Sequence, residues 1–197
     1  MRTDESTLVA ALRAGDERAF MALVEAYTPG MRRLALGFVR TAAVADDVVQ
    51  EAWLAVLKGI DGFEGRSALR TWVFTIVANV ARTRAVREAR SAPFSSFRAE
   101  GDTSVDPDRF FPQGNWSSPP EPWRAVLDAE ARAAIDAAIA TLPEQQRQVI
   151  TLRDVDGLTS EEVRNVLDLS ETNQRVILHR ARSKVRARLE GYLRDEQ

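Results

Sequence analysis

Cysteine is absent from this chain of 197 residues. Its absence excludes disulfides, thiolate nucleophiles, cysteine-ligated zinc and iron–sulfur clusters. A single histidine, His179, rules out any site built on two imidazoles. No run reaches the roughly 18 apolar residues that a membrane helix needs. The opening residues Met1-Arg2-Thr3-Asp4-Glu5 are charged and lead into no apolar stretch, so they do not read as a secretory signal. A cytoplasmic chain without membrane insertion is expected. Lysine is nearly missing as well: of 27 basic residues only Lys58 and Lys184 are lysine. A GC-rich genome explains that bias, and arginine also suits bidentate contacts to phosphates and bases. The formal charge of −2 and a pI near 5.6 weigh, as averages, against a nucleic-acid binder.

What is present is enough apolar material, 45% of residues, to bury one core or two small ones. Six of the eight prolines fall between residues 91 and 122. Proline removes a donor and blocks helix continuation, so this stretch reads as a linker. It divides the chain into residues 1–90, the linker 91–122, and residues 123–197. Both outer parts carry helical spacing without credible strand alternation, so the expected fold class is all-α. In the first part, Asp16 is placed to cap a helix that stops near Pro29-Gly30, and a second helix starts at Met31. A third covers Val44 to Leu57, and a fourth follows Ser67, its expected cap. In the last part, helices are expected over Asp128–Leu142, Glu144–Leu152 and Glu161–Leu167, with a long one from Ser170 past Leu189. The linker is unusual in holding Phe94, Phe97, Phe110, Phe111 and Trp116, with Trp123 at its end. Disordered spacers are poor in aromatics. Docking is therefore expected, preferably through Trp116 to Trp123, either on the chain's own domains or on a partner.

The average charge conceals a layout. Residues 1–90 hold 13 basic and 11 acidic residues, and residues 123–197 hold 12 and 13. Yet Arg175, Arg180, Arg182, Lys184, Arg186 and Arg188 run together with no acid between them. Arg82, Arg84, Arg87 and Arg90 close the fourth helix against Glu88 alone. A helix dipole accounts for one or two bases in a last turn. Six over fourteen residues point to phosphate.

Residues 158–182 have the layout of a helix-turn-helix. Thr159 and Glu162 form a capping-box pair, Val163, Val166 and Leu167 face inward, and Asp168 falls where a left-handed residue is needed. Leu169 plugs the turn, Ser170 caps the next helix, and Leu178, Ala181 and Val185 share a side. Recognition helices place their first residues in the major groove. Here those residues are Thr172, Asn173, Gln174 and Arg175, all types that read base edges, with His179 and Arg182 farther along.

Several of these segments resemble one family, the extracytoplasmic-function sigma factors of bacteria. The likeness rests on Leu142-Pro-Glu-Gln-Gln-Arg-Gln-Val-Ile-Thr-Leu-Arg153, Gly157-Leu158-Thr159, Glu161-Glu162-Val163, Leu169-Ser170 and Leu178-His-Arg-Ala-Arg182. It rests equally on Asp46-Asp47-Val-Val-Gln50-Glu51 and on Phe63-Glu-Gly-Arg-Ser-Ala-Leu-Arg-Thr-Trp72 leading to Asn79. The sequence departs from the family pattern at Arg164, where a small residue is usual, and at Gln174, where an apolar one is common. Val176 and Ile177 replace polar residues, which leaves the register of the recognition helix open; an apolar Ile177 suits a thymine methyl.

The resemblance implies that residues 1–90 dock on core RNA polymerase through Asp46, Asp47, Gln50 and Glu51. Asp47 and Glu51 are like charges at i,i+4, a mildly unfavourable pairing that a basic partner would relieve; a solvated acidic face is the plainer reading. A carboxylate metal cluster is the enzymatic alternative, but it lacks a histidine partner. The loop Asp61-Gly-Phe-Glu-Gly-Arg-Ser67 is implied to take a base flipped from the promoter's minus-10 element. Phe63 would stack on it, and Arg66, Asn79, Arg82 and Arg84 would contact it or nearby phosphates. Phe63 as a core plug is nearly as good a reading. Residues 123–197 are implied to read the minus-35 element through Thr172, Asn173, Gln174, Arg175, His179 and Arg182. Promoter DNA and core polymerase are thus the implied partners, with an anti-sigma factor as a further one; no cofactor, metal or catalytic residue is expected. The rival reading is a stand-alone helix-turn-helix regulator whose first part dimerises or senses a ligand.

Overall fold

The structure, a computed structural model, describes residues 2–91 and 124–195. The expected docking of the linker aromatics lies outside these residues. No strand occurs among them, as the all-α reading requires.

The first helix, α1 (Arg2–Arg13), has no counterpart in the sequence-based expectations. It is followed by α2 (Glu17–Leu36), where Asp16 accepts from the amides of Arg18 and Ala19 as an N-cap should. The expected break at Pro29-Gly30 does not occur: Pro29 lies inside one continuous helix. A proline there forfeits one hydrogen bond and costs about 3 kcal/mol. The buried series Leu23, Met31, Leu34 and Ala35 lies at helical spacing on both sides of it. Its burial offsets that cost. Thr41 caps α3 (Ala42–Gly59), and a single 3-10 turn, Ile60–Gly62, leads into the loop before α4 (Leu69–Ser91). Met31, Leu34, Ala45, Val48, Ala52, Val56, Val73, Val77 and Ala81 form the dry centre of this half.

In the second half, α5 (Arg124–Ala140), α6 (Glu144–Ile150) and α7 (Ser160–Leu167) pack around α8 (Glu171–Asp195). The expected helix over Glu144–Leu152 ends two residues early and passes into a π-helical turn, Thr151–Val155. That turn delivers Asp156 to the junction between the halves.

The halves are packed together. Gln148 donates through Nε2 to the Gly37 carbonyl at 3.0 Å, Thr71 donates to Glu162 at 2.8 Å, and Arg33 pairs with Asp156. A β-carbon on Gly30 would lie 2.8 Å from the Phe74 ring and 3.0 Å from the Asp156 carboxylate. One on Gly37 would lie 2.9 Å from Gln148. Glycine at both positions leaves room for these side chains against the α2 backbone and its C-terminal end.

Candidate nucleic-acid interface

Three surfaces carry the residues singled out from the sequence. On α3, Asp46, Asp47, Gln50 and Glu51 are all exposed, because Ala45, Val48, Val49 and Ala52 take the core side. Two of the acids are already engaged: Arg32 donates to Asp46 at 2.6 Å and Arg84 to Asp47 at 2.9 Å. The same helix leaves Leu54 and Leu57 bare, at 57% and 49% exposure. The face is therefore acidic at one end and apolar at the other. The sequence reading missed the apolar end, although Leu54 and Leu57 continue the Gln50 stripe at helical spacing. Among the described residues no cluster of acids or histidines is arranged to hold a metal.

The second surface is the loop after the 3-10 turn together with α4. Asp61, Glu64, Arg66 and Ser67 are exposed, and Arg66 pairs with Glu64 at 2.7 Å. Phe63 is not. It is 7% exposed and lies against Trp72 with ring centroids 5.1 Å apart. Of its two readings, the core plug describes its place in this structure, and a stacking role does not fit so enclosed a ring. Asn79 and Arg82 stand one turn apart on the open side of α4, where Arg82 donates to the Asn79 amide oxygen at 2.9 Å and lies over the Phe38 ring. Arg84 turns away from them toward Asp47. Ser67 does not cap α4: its hydroxyl donates to the adjacent Ala68 carbonyl. The Leu69 amide is instead accepted by Glu5 of α1, sixty-four residues away in sequence.

The third surface is the helix-turn-helix, which forms as expected. Both bonds of the Thr159–Glu162 capping box are present, and Asp168 takes the left-handed conformation at φ 57°, ψ 53°. Ser170 caps α8 through the Asn173 amide at 3.3 Å. Burial assigns the register of the recognition helix. Thr172, Asn173 and Arg175 are exposed, with Val176, His179 and Arg180 beyond them, while Ile177 and Leu178 turn inward. Gln174 also points inward, at 1% exposure, and neither of its side-chain polar atoms has a partner among the described residues. It occupies a core position, so the expectation that it reads a base edge is corrected, as is the suggestion that Ile177 meets a thymine methyl. Arg182 is half-committed elsewhere: its fork grips both Asp154 oxygens, at 2.8 and 2.7 Å. That bond holds its guanidinium still more firmly protonated, against the opposing effect of partial burial. It also ties the π-helical turn to α8.

Residues 23–91 match the family model for sigma-70 region 2, and residues 132–185 match that for sigma-70 region 4. The chain is 31% identical over 190 residues to the ECF RNA polymerase sigma-E factor of Escherichia coli strain K12, covering 96% of each. The chain belongs to the sigma-70 family, in its extracytoplasmic-function group. The sigma factor is also 32% identical over 191 residues to the RNA polymerase sigma-H factor of Pseudomonas aeruginosa, covering 97% of this chain and 96% of that one. Two solved structures share the fold. CnrH, solved in complex with the cytosolic domain of CnrY, aligns with a TM-score of 0.59 at 24% identity over 95% of this chain and 97% of that one. RpoE of Bartonella quintana, solved with the anti-sigma factor NepR, aligns with a TM-score of 0.62 at 20% identity over 87% and 96%.

Within the sigma factor, region 2 holds the α3 face and the α4 surface, and region 4 holds the exposed start of α8. Asn79 and Arg82 come together, as do Thr172, Asn173 and Arg175; Phe63, Gln174 and Arg84 stand apart from those groups.

Proposed function

We propose that this sigma factor binds core RNA polymerase and directs it to promoters by reading two elements. Residues 1–90 act on the minus-10 element and on polymerase, residues 91–122 connect, and residues 123–197 act on the minus-35 element. Asp46, Asp47, Gln50 and Glu51, extended by Leu54 and Leu57, form the polymerase-facing side. Charge there sets register and association rate, and the leucines add apolar burial. Asn79, Arg82 and Arg66 are the minus-10 contacts, and Thr172, Asn173, Arg175 and His179 the minus-35 contacts. Arg82 and Arg175 supply cations for phosphate or guanine.

One observation carries the reading: two polar, exposed faces suited to DNA, one around Asn79 on α4 and one at the start of α8, occur in a single chain. A stand-alone regulator accounts for α8 but gives no role to the surface of α4. Opening of the duplex is driven by binding energy, and polymerase supplies the chemistry, so the sigma factor needs no catalytic residue of its own. It works in the cytoplasm, where polymerase is. An anti-sigma factor is a further partner by analogy with the Bartonella complex.

The test is run-off transcription with purified core polymerase on a genomic promoter library. Promoter-dependent transcripts that require both elements are expected. Their absence under every condition would overturn the reading.

A further inference from the structure

Helix α1 spans the base of the loop that carries Arg66, one of the proposed minus-10 contacts. At the near end, Arg13 donates through Nε to the Ile60 carbonyl at 3.2 Å and through Nη2 to the Phe63 carbonyl. At the far end, the Glu5 carboxylate accepts the Leu69 amide, the first residue of α4. Glu5 and Arg13 are eight residues apart, roughly two turns and about 12 Å along the helix. The loop between these anchors holds Asp61, Gly62, Glu64, Gly65, Arg66 and Ser67, all exposed. Gly65, at φ +70°, lets it reverse. Phe63, buried against Trp72, pins its middle from beneath.

The chemistry of the two anchors differs and is matched to place. A guanidinium offers several donors in a fixed fork, which suits two carbonyls on one tight turn. A carboxylate at a helix start accepts an orphan amide and complements the dipole. Neither Ser67 nor Ala68 supplies that acceptor, so the start of α4 depends on a residue from another helix.

We propose that Arg13 and Glu5 are positioning residues for minus-10 recognition, setting the shape of the loop 61–68 relative to Asn79 and Arg82. The inference rests on the proposed role of Arg66, Asn79 and Arg82 as minus-10 contacts. Neither residue touches DNA in this scheme; they act through the backbone of the loop. A displaced loop costs selectivity, because a misplacement of about 1 Å is enough to weaken interactions that need one geometry.

The experiment uses the full chain with core polymerase. Promoters carrying each single-base change in the minus-10 element are compared by run-off yield, and 2-aminopurine at the flipped position reports opening. Arg13→Ala is expected to reduce discrimination at one minus-10 position by about tenfold. Preference at minus-35 and affinity for core should stay as in the parent. Glu5→Gln keeps an acceptor oxygen and should behave close to the parent, whereas Glu5→Ala should resemble Arg13→Ala. Unchanged minus-10 discrimination in both alanine variants would overturn the proposal. So would equal losses at minus-10, minus-35 and core affinity, which would mark α1 as mere scaffold. If the parent chain itself shows no minus-10 preference while still directing transcription, the proposed role of those contacts fails instead.

Discussion

Arg33 of α2 pairs with Asp156 across the junction of the two halves, and the Asp156 side chain is 1% exposed. Its second carboxylate oxygen has no partner among the described residues. Asp156 therefore depends on Arg33 for its only counter-charge in an ion pair described here, whereas Arg33, 43% exposed, keeps access to water. The two partners are unequal. Arg33→Ala strands a buried carboxylate and should cost about 2–4 kcal/mol, below the figure for a fully buried pair. Asp156→Asn should cost less, since the charge left behind is solvated. Urea denaturation of the two variants checks the order.

Glu162 serves two structures at once. One oxygen closes the capping box on Thr159 while the other accepts from Thr71 of region 2. Burial alone would raise its pKa. Hydrogen bonds from the Thr159 amide, Thr71 and the Thr159 hydroxyl outweigh that, aided by Arg70, and hold it below the ordinary 4.5. The folded chain keeps this carboxylate ionised to lower pH than the unfolded chain does. Its contribution is thus complete at neutral pH and is lost as the pH falls from 4.5 through the lower folded value. Melting temperatures measured across that range should fall less steeply in Glu162→Gln than in the parent.

How much of this was legible beforehand depends on where the signal lay. Local chemistry was legible: the Asp16 cap, the Thr159–Glu162 box and the left-handed Asp168 are each specified by residues within four positions of one another. Pro29 misled because burial on both sides of it outweighed a local break. Ser67 looked like a cap, but Glu5 arrived from a helix that carried no motif.

Gln174 is the clearest case of a polar residue misread as a reader. Its amide is buried with both polar atoms unpartnered among the described residues, an arrangement that costs about 1–3 kcal/mol. Gln174→Leu should therefore raise stability by about 1–2 kcal/mol and leave minus-35 preference intact. Arg175→Ala, one position on and exposed, should cost about 1–3 kcal/mol at a single minus-35 base pair. Denaturation and binding across single-base promoter variants separate the two outcomes. A loss of specificity in Gln174→Leu would return that residue to the interface.

The α3 face makes a kinetic prediction. Asp47→Ala and Glu51→Ala should each weaken core polymerase binding by at most about fivefold, the range of an exposed charge pair. The loss should fall mainly on the association rate and shrink at high salt. Both side chains are exposed, so circular dichroism should be unchanged. Leu54→Ala, by contrast, should speed dissociation with little dependence on salt. Stopped-flow binding at two ionic strengths distinguishes them.

The sequence by itself determined the helical class, the helix-turn-helix and the basic character of α8. Periodicity, capping and charge order act over a few residues and are written directly in the chain. Only the tertiary structure decided which helical residues face outward, that Phe63 and Gln174 face inward, and that Arg33, Thr71 and Gly37 of one half meet Asp156, Glu162 and Gln148 of the other. Those outcomes depend on close packing between segments far apart in sequence, where a single buried charge or a missing β-carbon sets the fit.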